Sequence, residues 1–221
     1  MRYPEILSQL KLLGHASFRL DGPTVIYIDP WKLGADAPPA DLILITHDHY
    51  DHFSLEDIRR ISRDDTIIVA NPAAAAKLSG ATQILRPGES ISLAGATIRA
   101  VPAYNLNKFK SPGQLFHPMS DEGVGYIIER DDETLYHIGD SDTIPEMAGL
   151  KVTVALMPIS GVYVMTADEA FEAAQMIQAD FYVPMHYGDI AGDQSDVEKF
   201  RYLCEQQGLR VVVLPKEADV A

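Results

Sequence analysis

A four-layer αββα sandwich, an α/β fold, is what this sequence predicts, and three observations carry the prediction. Strand-like runs recur along the chain, helices are signalled in each half, and the apolar run Leu42-Ile43-Leu44-Ile45 opens directly into a cluster of histidines and aspartates. An apolar run without alternation fits a strand covered on both faces, as in sheets with helices outside. Two similar halves, each a sheet with helices on its outer face, would bury their inner faces against each other.

In chain order the strand-like runs are Lys11–Leu20, Val25–Ile28, Leu42–Ile45, Thr66–Ala70, Thr97–Val101, Gly123–Arg130, Thr134–Ile138, Val152–Met157, Phe181–Val183 and Arg210–Leu214. A first helix is expected near Ser54–Ser62. The alanine run Ala73–Ala76 reads as a helix interior, with Asn71 as cap, Pro72 in the first turn and Gly80 at the end. Capping boxes open two later helices: Thr166 with Glu169, running to about Gln178, and Ser195 with Glu198, stopping at Gly208.

With 221 residues, 47% hydrophobic and 23% charged, the chain is expected to form one domain spanning 1–221. No apolar stretch approaches the roughly 20 residues of a membrane-spanning helix. The start, Met1-Arg2-Tyr3-Pro4-Glu5, lacks a signal-peptide core, so the cytoplasm is the expected compartment. The single cysteine, Cys204, has no intramolecular partner, and the spacing Val197, Phe200, Leu203, Cys204 makes it a small core residue. A net charge of −14 and a pI near 4.7 would repel a nucleic-acid backbone. Lys108 and Lys110 are the one local cationic pair, read either as a solvated loop or as an attractor for an anionic substrate.

Residues 46 to 53 read T-H-D-H-Y-D-H-F, at the carboxyl end of a buried strand, where sites in layered α/β folds concentrate. Imidazole and carboxylate together are the nitrogen and oxygen ligands of zinc-like ions. His47 and His49 are two apart, so on an extended segment both point to one side and bind one ion. Asp51 and His52 follow a turn and reach a second. Two dications about 3.5–4 Å apart repel unless a negative group bridges them, and Asp140, in H-I-G-D-S-D after Thr134–Ile138, is the expected bridge. His186, in P-M-H-Y-G after Phe181–Val183, stands at another strand end.

These residues resemble the metallo-β-lactamase superfamily, whose H-x-H-x-D-H stands here as His47, His49, Asp51 and His52. The likeness continues through L-G-H-A-S-F (13–18), I-D-P (28–30), G-D-S-D (139–142) and P-M-H-Y-G (184–188). It looks most like the small metal-dependent hydrolase branch, with the ascorbate-6-phosphate lactonase and N-acyl phosphatidylethanolamine phospholipase D types. The resemblance implies the αββα sandwich and a two-metal site at one edge of the sheets. It excludes the commonest zinc β-lactamases, since Cys204 stands in the wrong place for their ligand, and the flavodiiron enzymes, which carry glutamate where this chain has His49. The superfamily's third histidine for the first metal is expected at the end of V-P-A-Y-N, where this chain has Asn105. Either Asn105 or the next histidine, His117 in F-H-P, completes that shell, or His117 serves as a substrate-binding or acid group.

The expected function is therefore a metal-dependent hydrolase that uses a metal-bridging hydroxide on an ester, lactone or phosphodiester bond of a small or lipid-like substrate. The ligand set is His47, His49, Asp51, His52, Asp140 and His186 with Asn105 or His117, holding two divalent ions, zinc first and manganese or iron next. Asp51 is the expected base, while His186, His117 and the lysines orient or neutralise substrate. His15 and Asp29 are expected in supporting or structural roles, His137 as a packed strand residue, and Trp31, Tyr50, Tyr163 and Tyr187 as pocket-lining aromatics. A small-molecule substrate is the expected partner, with an anionic substrate and a homo-oligomer left open. The rival is a non-catalytic metal-binding sensor or assembly protein of the same fold, kept alive by Asn105.

Overall fold

The computed structural model describes residues 3–217. After a single helical turn, α1 (Glu5–Ser8), the first sheet is built in chain order from β1 (Leu10–Gly14), β2 (Ser17–Leu20), β3 (Ile26–Ile28), β4 (Leu42–Ile45), β5 (Ile67–Ala70) and β6 (Gln83–Ile84). Helices α2 (Leu55–Ile61) and α3 (Pro72–Ala75) lie between its strands. The chain continues through β7 (Ser90–Leu93), β8 (Ala96–Pro102), a separate ribbon of β9 (Phe109–Ser111) and β10 (Gln114–Leu115), then β11 (Val124–Arg130), β12 (Glu133–His137), β13 (Lys151–Pro158), α4 (Ala167–Met176), β14 (Gln178–Met185) and α5 (Gln194–Gln206). The second sheet has the order β14-β13-β12-β11-β8-β7.

Alternation along each strand assigns the layers. Ile26, Ile28, Leu42, Leu44 and Val69 join the core shared with the second sheet, whereas Tyr27, Ile43, Ile45 and Ala70 pack with Ile58 and Ile61 of α2 and Ala74 of α3. The second sheet packs against α4 and α5 through Ala170, Ala173, Val197 and Phe200. The result is the expected sandwich. Leu44 is fully buried at its centre, so Leu44→Ala is expected to cost about 2–5 kcal/mol in denaturant unfolding. The exposed Tyr202→Ala, by contrast, is expected to stay within about 0.5 kcal/mol.

Strand direction places the site. β3, β4 and β5 run parallel, as do β12, β13 and β14. Parallel neighbours end at the same sheet edge, so the segments leaving them emerge together.

Several local expectations are corrected. The run Lys11–Leu20 is two strands, because His15 takes a left-handed φ of 50° and reverses the chain into a hairpin. Arg210–Leu214 is no strand: it touches the β14 edge only through the Tyr182–Val211 bridge. The alanine helix stops at Ala75, not Gly80, since Lys77 and Leu78 donate to carbonyls three residues back and tighten the turn. Asp193 with Asp196, not Ser195 with Glu198, forms the box that opens α5, because the Asp193 carboxylate reaches the Ser195 amide at 2.7 Å first. The Thr166–Glu169 box is as expected. Cys204 is fully buried, and burial pushes its thiol up to about 12, which makes it an unreactive core residue.

Candidate metal centre

The motif turns sharply after β4. The amides of His52 and Phe53 both donate to the His49 carbonyl, at 3.1 and 2.8 Å, and Ser54 then caps α2. That turn separates the motif into two pairs. His47 and His49 form one group with His117, and Asp51 and His52 form another with His15 and His186; within each group the candidate ligand atoms lie within 4.8 Å of one another.

Asp140 stands between the groups. Its Oδ2 is 3.4 Å from His117 Nε2, 3.2 Å from His186 Nε2 and 4.0 Å from His47 Nε2, while Oδ1 is 3.1 Å from His52 Nε2. His49 Nδ1 lies 2.9 Å from His117 Nε2. One carboxylate therefore touches both groups.

Groups behind the rings set which nitrogen faces inward. Asp29 Oδ2 accepts from His52 Nδ1 at 2.7 Å, and Asn105 Oδ1 accepts from His117 Nδ1 at 2.9 Å; neither oxygen can donate, so both Nδ1 atoms carry the proton. Thr46 Oγ1 gives its hydrogen to Asp29 at 2.6 Å and so accepts from His47 Nδ1 at 2.9 Å. Ser160 Oγ lies 3.0 Å from His186 Nδ1. His47 and His117 are left with Nε2 as the lone-pair nitrogen, and the Nε2 atoms of His52 and His186 face the same carboxylate.

Those inward atoms meet no ordinary partner. Among the described residues, His47 Nε2, His52 Nε2, His186 Nε2 and Asp140 Oδ1 are buried without a hydrogen bond. Imidazole lone pairs gathered around a buried carboxylate fit a cation, and the donor set of nitrogen and oxygen suits a zinc-like ion. Burial pushes His117 down to about 4 against the pull of Asp140, and burial with the neighbouring His52 holds His47 well below its usual value. Both rings stay neutral, as ligands must. Burial alone would lower His52 too, but Asp140 and Asp29 raise it well above the ordinary range. Burial opposes ionisation of Asp140, yet His186 and His52 keep its carboxyl well below the usual range.

Backbone strain collects here. His15, Asp29 and His186 have left-handed φ values of 50°, 47° and 61°, unusual for residues with a Cβ and frequent at functional sites.

His117 is not a solvated loop residue: it is 7% exposed with its ring against His49. Asn105 does not reach the cluster. Its oxygen is held on the far side of the His117 ring, and its amide donates to Asp142 Oδ1 at 3.2 Å and the Tyr163 carbonyl at 3.0 Å. Lys108, expected as a solvated or substrate-attracting lysine, is buried and bonded to Glu169; only Lys110 is exposed.

His15 supports Asp51, with Nε2 3.1 Å from its Oδ2 and the ring 3.8 Å from that of His186. His137 is packed, bonded to the Ala16 carbonyl at 2.9 Å. Trp31 borders His15 at 5.7 Å, Tyr50 is 67% exposed and 6.5 Å from Trp31, and Tyr163 lies 6.4 Å from His186. Tyr187 instead packs on the core. Sequence reasoning passed over Thr46 and Ser160. Ser160 had a signal, since it follows β13 as His186 follows β14.

A four-layer sandwich with histidines and carboxylates gathered at its strand ends defines the metallo-β-lactamase class of fold. Residues 9–186 match the β-lactamase superfamily domain, and the chain belongs to that family. It is 30% identical over 216 residues to a protein of Methanosphaerula palustris named UPF0173 metal-dependent hydrolase, covering 94% of this chain and 96% of the relative. A solved structure of a candidate metal-dependent hydrolase from Parabacteroides distasonis gives a TM-score of 0.84 at 31% identity, covering 94% of this chain and 93% of that one. Igni18, a metallo hydrolase of Ignicoccus hospitalis, gives 0.74 at 27% identity, covering 94% and 95%.

Proposed function

We propose that this chain is a metal-dependent hydrolase with two divalent ions, one held by His47, His49 and His117, the other by Asp51, His52 and His186, with Asp140 shared. The observation that carries it is the Asp140 carboxylate, buried between both groups and within 3.4 Å of His52, His117 and His186. The imidazole-rich donor set favours zinc over manganese or iron. When bound, such ions acidify a water and polarise a carbonyl or phosphoryl oxygen.

The chain's own residues supply the rest. Asp51 would take the proton of an attacking water, a role supported by the 3.1 Å contact of His15 Nε2 with its Oδ2. Thr46, Asp29 and Asn105 accept from Nδ1 of His47, His52 and His117, and Ser160 meets Nδ1 of His186, so the four Nε2 atoms face inward. A narrow cleft beside His47, His49 and His117 is walled by Pro118, Asp121, Gly123 and Ala103. An ester, lactone or phosphodiester suits this machinery, as in the lactonase-like branch it resembles. The rival is a metal-binding protein without turnover, which Asn105 kept open; the grouping of His117 with His47 and His49 supports the hydrolase reading. Among the described residues no helix is long and apolar enough to cross a membrane, and a reducing cytoplasm suits the lone Cys204.

Elemental analysis of purified, reconstituted protein is expected to find close to two transition-metal ions per chain. The same preparation is expected to hydrolyse at least one of a p-nitrophenyl ester, a simple lactone and bis(p-nitrophenyl) phosphate, and to stop after chelation. One ion per chain or fewer would refute the dinuclear assignment. A fully loaded protein inert towards all three would favour the non-catalytic rival.

A further inference from the structure

We propose that Lys108 is a positioning residue for the ion group of His47, His49 and His117, acting through the loop that delivers His117. The proposal rests on the ion-binding reading above and extends it to residues that touch neither ion nor substrate.

The loop from Asn105 to His117 leaves β8, runs out as the exposed ribbon β9–β10 and returns. Lys108 sits at its neck. The Lys108 carbonyl accepts from the Phe116 amide at 3.0 Å, closing the base of the ribbon. Its side chain turns inward and is only 8% exposed for the whole residue. The ammonium donates to Glu169 Oε2 and Oε1 at 2.7 and 3.0 Å and lies 3.3 Å from Asp142 Oδ1. Glu169 belongs to the first turn of α4, and Asp142 follows β12, so one cation joins three segments of the chain.

Asp142 passes the constraint on. Its Oδ2 accepts the amides of Leu106 and Asn107 at 2.6 and 2.9 Å, and its Oδ1 accepts Asn105 Nδ2. Asn105 Oδ1 then takes both the backbone amide and the Nδ1 of His117, each at 2.9 Å. The path Glu169, Lys108, Asp142, Asn105, His117 is continuous and ends on a ring nitrogen. Without the ammonium, two carboxylates face each other in a largely dry site, and Asp142 has reason to swing away from Asn105. The imidazole then loses its fixed rotamer and tautomer. The other group is held separately, by Asp29, Ser160 and His15.

Loss of a partner behind a ligand typically costs about 10–100-fold in metal affinity. Apoprotein prepared with a chelator is titrated with Zn²⁺ against a chromophoric competitor, for the parent and for Lys108→Met, Glu169→Gln, Lys108→Arg and His117→Ala. Glu169→Gln keeps an oxygen for the helix cap and carries the test should Lys108→Met fail to fold. One dissociation constant is expected to rise about 10–100-fold in Lys108→Met and by a smaller factor in Glu169→Gln, where the ammonium keeps Asp142, the same constant lost in His117→Ala, with the other within about threefold. Lys108→Arg is expected to recover part of the affinity. Two unchanged constants, or two that rise together, overturn the proposal while leaving the ion-binding reading intact. A parent that takes up no ion overturns both.

Discussion

Asp140→Ala is expected to reduce the ion content of the purified protein from about two per chain to one or none, and to lower turnover by on the order of 10³-fold or more. Asp140 is 4% exposed and, among the described residues, is the one carboxylate within 3.4 Å of rings from both groups. Two dications at dinuclear spacing repel by roughly 17 kcal/mol at an effective dielectric of about 20, and a shared negative charge is what offsets part of that. Alanine also removes a charge partner of His52, whose elevated basicity comes, burial apart, from Asp140 and Asp29. Metal analysis beside a melting curve checks the result. Retention of both ions with unchanged affinity would show that Asp140 bridges nothing.

Asp51→Asn is expected to keep the fold and lower hydrolysis by about 10²–10⁴-fold, the usual worth of a general base. The substitution is nearly isosteric, and an asparagine oxygen can still accept from His15 Nε2, now 3.1 Å from Asp51 Oδ2. Burial works against ionisation of Asp51, but the His15 bond and the nearby His52 lower its pKa overall, so the parent carries a carboxylate at neutral pH. Turnover should be compared at equal metal occupancy, since Asp51 is also placed as a ligand. Activity within a few-fold of the parent would remove it from the role of base.

Most of the sandwich was legible because its strands are runs that must be buried. Leu42–Ile45 is buried at every position and was placed to the residue, as were the positions of β8, β11 and β12 to within a residue at each end. Gln83–Ile84 and the ribbon Phe109–Ser111 escaped because they are largely exposed and leave no hydrophobic period; Ser90–Leu93 alternates and packs Ile91 and Leu93 on the core, but only over four residues. The hairpin within Lys11–Leu20 escaped for another reason. Its turn pairs Gly14 with His15 in a left-handed conformation, and a lone glycine inside a strand-like run reads as readily as a bulge as a reversal.

The sequence by itself determined the fold class, the H-x-H-x-D-H cluster at the end of a buried strand, and Asp140 and His186 at two others, because burial pattern and strand ends are local features. The tertiary structure alone decided that His117 stands in the cluster and Asn105 behind it, that Lys108 is bound rather than free, and that Thr46, Asp29 and Ser160 aim the rings. His117 and His49 are 68 positions apart, and Lys108 and Glu169 are 61. Such pairs share no local pattern; they meet only because two sheets, packed face to face, bring their parallel strand ends to one edge.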